Sequence, residues 1–338
     1  MTKYTLPLAA FATLLLTGTA IAAPAVVAST KPVHSLVSAV MGDVGTPALI
    51  VKGAASPHTY SLRPSDAAAL EAANIVFWTG HGMELFLADA LETLSTNAQV
   101  IELAEAPGIA LLPVREGGAF EAHMHEGEDH EHDHDEHDHE EDGHDHSDGH
   151  DHGEHEDDGH DGHDHADGEG DMHFWLDPEN AKLMVAHIAQ TLSVADPGNA
   201  AAYAANAEAE AARLDALSAE LTATLAPVAD KPFIVFHDAY QYFENRFGLT
   251  VAGTVTVSPE AMPGAARIDE LRAKVGELGA TCVFAEPNFE PAIVRTIVEG
   301  TTAQAGTLDP EGSALTEGPD LYPELLRGLA NGLVECLG

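Results

Sequence analysis

Apolar residues along the chain follow two alternating rhythms. Short, nearly continuous apolar runs stand at 48–53 (ALIVKG), 74–80 (NIVFWTG) and 98–104 (AQVIELA). Between them, 64–73 and 83–94 carry apolar residues every three or four positions. A continuous apolar run of this length, bounded by turn residues, predicts a strand covered on both faces; the three-to-four spacing predicts a helix with one buried side. The second half repeats the theme. Strands are predicted at 232–236, 250–257, 281–286 and 302–308, and helices at 238–247, 265–278, 291–300 and 322–337. Between the halves, 178–195 reads as a helix opened by Pro178, which suits a first turn. The run 197–228 is rich in Ala, Glu and Leu, with no Gly or Pro between Asn199 and Ala226, and predicts one long helix. At 1.5 Å per residue such a helix is about 40 Å long, more than one small domain needs. Strand–helix alternation implies parallel sheets covered by helices. The expectation is an α/β protein of two lobes, 23–196 and 229–338, joined by the 197–228 helix. Ligands in such folds sit beyond the C-terminal ends of the strands.

One segment breaks both rhythms. From Glu121 to Asp171 the chain carries 15 of its 21 histidines and 24 of its 56 acids, with no Lys or Arg. Almost nothing there can be buried, so ordering it would cost entropy without return, and disorder is expected. A His-rich tract points to metal binding, and imidazole suits zinc, copper, iron and nickel. The same acids account for more than half of the formal net charge of −42. The acidity that remains disfavours nucleic acid and anionic membranes as partners and is compatible with cationic cargo.

The first residues form a leader. Lys3 supplies a positive start, an apolar stretch follows, and Ala20-Ile21-Ala22 fits a cleavage site, which predicts export with residues 1–22 removed. In an oxidising compartment an even pair of cysteines, Cys282 and Cys336, favours a disulfide over two buried free thiols.

Six histidines lie outside the acidic run. His58, His173 and His237 stand just past predicted strands or where order resumes after the run, and Asp309 stands at another strand end. Three imidazoles and a carboxylate form a tetrahedral set suited to zinc, whereas manganese or magnesium would want more oxygen. His81, at the end of a strand, is the alternative fourth ligand. His187 lies mid-helix and reads as structural, and His34 reads as exposed. Asp238 and Glu286 are candidates to orient the imidazoles.

The stretches SPHTYSLRPSD, WTGHGME, MHFWLDPENA, IVFHDAYQYFENRFGL, CVFAEPNFEP and GTLDPEG, in this order over almost the whole mature chain, resemble the high-affinity zinc-binding subunits of bacterial ABC importers, the ZnuA group of metal-binding solute-binding proteins. The resemblance implies a rigid connecting helix, Zn²⁺ in the cleft between the lobes and delivery to an inner-membrane ABC permease. It implies a periplasmic monomer, with a periplasmic zinc chaperone as a further candidate partner. It puts the ligands at His58, His173 and His237, with Asp309 at the carboxylate position, and the disulfide at Cys282 and Cys336. Some zinc members place a Glu before the first ligand; here Pro57 stands there, so Asp309, His81 and a water remain candidates for the fourth place. The acidic run then becomes an accessory that concentrates zinc beside the cleft. A secreted zinc hydrolase is the rival from another class, but no H-E-x-x-H is present and no general base stands at a fixed offset. Two further rivals are a zinc buffer built on the acidic run and a manganese importer.

Overall fold

The short apolar runs at the centre of each sheet are buried along their whole length, whereas the edges are partly exposed. The computed structural model describes residues 23–115, 120, 170–256, 264–277, 279, 281–289 and 292–338. The predicted leader, residues 1–22, and all of the acidic run before Gly170 lie outside these residues. In the N-terminal lobe, β1 (Val26–Ala28) pairs in parallel with both β2 (Ala48–Leu49) and β3 (Ile75–Trp78), and β4 (Gln99–Glu102) pairs with β3. The C-terminal lobe repeats the arrangement. There β5 (Phe233–Val235) pairs with β6 (Val251–Thr254) and β7 (Cys282–Ala285), and β8 (Gln304–Thr307) follows β7. Both sheets are four-stranded, ordered β2-β1-β3-β4 and β6-β5-β7-β8. The order therefore reverses between β1 and β3 and between β5 and β7. A crevice opens beyond the strand ends at such a reversal.

Helices cover the sheets: α1 (Lys31–Met41), α2 (Pro64–Ala72), α3 (Leu85–Leu94), α4 (Pro178–Ala195), α6 (Gln241–Phe247), α7 (Ala265–Glu277), α8 (Ala292–Val298) and α9 (Leu321–Leu337). The apolar pattern did not reveal β1 and α1. The strand has only three residues, and nothing in composition separates its small apolar residues from those of the leader before it. The strand predicted at 48–53 is assigned only at Ala48–Leu49, but Ile50 N and Val51 N still donate to Ala28 O and Ser29 O. His34 is not exposed as expected: it is 5% exposed in α1, with Nε2 against the Pro47 carbonyl at 3.2 Å.

The predicted long helix is α5 (Ala200–Leu225), 26 residues, about 39 Å at the helical rise. Leu214, Leu217, Leu221 and Leu225 recur at three- and four-residue steps and are buried on one stripe. That stripe belongs to a core cluster holding residues of both lobes, from Val26 and Phe77 to Phe233 and Leu333. The lobes are thus fused through shared apolar packing. The disulfide Cys282–Cys336 ties β7 to the end of α9, with Cα atoms 6.1 Å apart. Among the described residues, no helix is long and apolar enough to cross a membrane.

Candidate metal centre

Three imidazoles reach the seam from three different supports. His58 sits between β2 and α2, in a segment anchored by Tyr60, whose hydroxyl donates to Asp66 Oδ2 at 2.7 Å and lies 3.1 Å from the Ile50 carbonyl. Asp66 also accepts from Arg63 N at 3.0 Å, so the helix start and the histidine segment share one anchor. His173 precedes a single 3₁₀ turn, Phe174–Leu176, leading into α4, whose cap is Asp177. His237 follows β5, at the order reversal of the C-terminal sheet.

The rings converge. The His58 centroid lies 5.5 Å from those of His173 and His237, and the latter two are 5.2 Å apart. One ligand-capable atom from each ring falls within 4.8 Å of the others, the only such group among the described residues. His173 Nδ1 faces Asp171 Oδ1 at 2.8 Å, and His237 Nδ1 faces Glu286 Oε1 at 2.7 Å. A carboxylate there holds the proton on Nδ1 and leaves Nε2 as a lone-pair donor. The two Nε2 atoms then face each other at 3.3 Å. At that distance either a proton on one ring or a metal ion shared by both can join the pair. Tetrahedral zinc with Zn–N of about 2.0–2.1 Å sets its nitrogens about 3.3–3.4 Å apart. His58 Nε2 is buried without a hydrogen-bond partner in the protein. Burial, then the neighbouring His173 and His237, hold the His58 imidazole well below the usual histidine range, in its neutral form. At His237 burial works against charge, but Glu286, by its charge and its hydrogen bond, outweighs it and raises the pKa.

The other sequence candidates have partners of their own. Asp309 is held by its own turn, accepting from Ser313 Oγ at 2.9 Å and from Glu311 N and Ala314 N at 3.3 Å. That turn is fastened to the first lobe by Lys31, whose Nζ donates to the carbonyls of Gly312, Ser313 and Leu315 at 3.2, 2.8 and 3.1 Å. His81, with 60% of its side chain exposed, pairs with Glu102 at 3.2 Å. His187 lies in α4, outside the triad. Glu286 orients an imidazole as the sequence suggested, whereas Asp238 is held by Arg115. Sequence reasoning missed Asp171. Composition assigned it to the acidic run, yet it is 6% exposed and orders His173. The i, i+2 spacing Asp-x-His was the available signal.

Two parallel-sheet lobes fused along one helix, with an imidazole triad in the seam, two of its rings buried and held by carboxylates, define a metal-binding solute-binding protein. The family model for the zinc-uptake complex component A, periplasmic (ZnuA), matches residues 26–336. The chain belongs to that family, which comprises transport components rather than enzymes. It is 56% identical over 312 residues to the high-affinity zinc uptake system protein ZnuA of Brucella abortus, covering 92% of this chain and 91% of that one. The Paracoccus denitrificans protein of the same name is 42% identical over 316 residues, covering 93% and 92%. Among solved structures, a mutant of the laminin-binding adhesin of Streptococcus agalactiae superposes with a TM-score of 0.70 at 25% identity, over 93% of this chain and 100% of that one. A crystal structure of ZnuA gives 0.68 at 24% identity, over 94% and 100%, and supports the fold.

Proposed function

We propose that this chain captures Zn²⁺ in the periplasm, holds it between the lobes on Nε2 of His58, His173 and His237, and passes it to an ABC permease. The observation that carries this reading is the convergence of three imidazoles, with two Nε2 atoms 3.3 Å apart, each opposite an Nδ1 held by a carboxylate. That spacing is the one two nitrogens take on a single tetrahedral zinc. The nitrogen-rich set favours zinc over manganese. Water completes the coordination, with Asp309 the competing donor once it leaves Ser313. Relatives named for high-affinity zinc uptake support the cargo and the route. The Cys282–Cys336 bridge suits an oxidising periplasm reached through cleavage of residues 1–22.

All three imidazoles come from one chain, which supports a monomer as the working unit; a periplasmic zinc chaperone is the candidate donor upstream. The test is crystallographic. Anomalous scattering from zinc-loaded crystals is expected to place one ion about 2.0–2.1 Å from each of the three Nε2 atoms. An ion outside the triad would sink the assignment. Asp309→Ala protein should show the same ion; its loss there would make Asp309 the fourth ligand.

A further inference from the structure

The seam holds a second polar assembly, a step behind the imidazoles. Residues on either side of the acidic run lie side by side, with Asp171 N donating to Leu112 O at 2.7 Å. Both segments rest on α6 of the other lobe. The Tyr242 hydroxyl accepts from Leu112 N at 2.8 Å and donates to Asp171 O at 2.7 Å. Gln241 Nε2 donates to Pro113 O at 3.0 Å and to Asp171 Oδ2 at 3.4 Å. Arg115 reaches furthest. Its Nε donates to Asp238 Oδ2 at 2.8 Å, and its terminal nitrogens to Asp238 Oδ1 and to both oxygens of Glu244, the latter at 3.0 and 2.7 Å. The guanidinium also lies over the Phe120 ring, 4.2 Å from its centre.

These bonds end next to the metal centre. Asp171 is the carboxylate on His173 Nδ1, and Asp238 follows His237 in the chain. Donors and acceptors come from opposite lobes, so neither lobe can complete the assembly alone. Without Arg115, the little-exposed Asp238 and Glu244 would face each other as like charges. A planar guanidinium can serve both carboxylates at once, which an ammonium cannot do with the same geometry.

We propose that Arg115, backed by Tyr242 and Gln241, is a positioning clasp across the seam that fixes His173 relative to His237 and so sets how long the cation is held. The proposal rests on the zinc reading above. It is tested on the mature chain with the acidic run intact, by following zinc release to an excess of chelator in Arg115→Ala, Arg115→Lys and Tyr242→Phe proteins. Arg327→Ala, which removes an exposed pair with Glu220 on the far helices, serves as the control.

Loss of groups that orient metal ligands commonly costs about 10–100-fold in affinity, so Arg115→Ala should release zinc faster by that factor. Lys should recover part of the loss. Tyr242→Phe, which keeps the ring, should fall between, and the control should match the wild type. The cobalt-substituted Arg115→Ala protein should show an altered d–d spectrum. A wild-type release rate and cobalt spectrum in Arg115→Ala would overturn the proposal. So would an equal loss of melting temperature with and without zinc at unchanged release, the mark of a merely structural residue. Failure of the zinc reading itself shows separately, as wild-type and His58→Ala proteins that release zinc alike, and would remove the clasp with it.

Discussion

The carboxylates of Asp171 and Glu286 face Nδ1 of His173 and His237, and on the proposed reading they leave Nε2 of each free for the metal. Asp171→Asn or Glu286→Gln keeps the shape but loses the charge behind the imidazole. Each is expected to weaken zinc binding about 10–100-fold with little change in the fold, as read by competition with a chromogenic chelator. An unchanged affinity in both would show that the tautomer needs no carboxylate. His34 offers a prediction about pH. Burial, only partly offset by its bond to the Pro47 carbonyl and by Glu317, holds its pKa below 6.5. The unfolded chain therefore takes up a proton at this residue more readily than the folded one. Its contribution is fully present above pH of about 6.5 and is lost as pH falls through the lower, folded value. Melting curves of His34→Gln protein should accordingly fall less steeply than those of the wild type below that pH. Parallel curves would contradict the assignment.

The elements show why much of this was legible in the sequence and where it was not. Runs such as 74–80 and 232–236 are apolar on both faces, so period and length alone identified them as strands. Their C-terminal ends then pointed to His81 and His237 as candidate ligands. The strand at Val26–Ala28 carries too few residues for any period. Asp171 is the deeper lesson: its composition is that of the acidic run, and only the tertiary contacts of Leu112, Gln241 and Tyr242 make it part of the fold. Asp309 is the converse, at a strand end as expected but already satisfied by its own turn. The same scale yields a test of packing. A Cβ at Gly332 of α9 would lie 2.9 Å from the Thr307 carbonyl of β8. Gly332→Ala should therefore cost about 1–3 kcal/mol in urea unfolding, through forced separation of helix and sheet. A neutral or stabilising result would mean that α9 does not pack so closely.

Across the whole molecule, the shared core along α5 argues against two lobes that swing freely. A single cooperative transition is expected on heating, since Tyr203, Leu217 and Phe233 belong to one apolar cluster. The disulfide closes 54 residues of chain. Reducing it should lower stability by about 4 kcal/mol on the loop-entropy estimate, while the triad, served by Glu286 at the opposite end of β7 from Cys282, keeps its zinc affinity at temperatures below melting. On the proposed reading a rigid frame divides labour, with the tight site in the seam and weaker sites on the His-rich run. The direct test of that claim is a calorimetric zinc titration of the mature chain lacking residues 121–169, beside the intact form. One tight equivalent is expected in the shortened protein, abolished by His58→Ala or His237→Ala. No tight equivalent after the deletion would contradict the claim, and would make the acidic run, not the seam, the element that holds zinc.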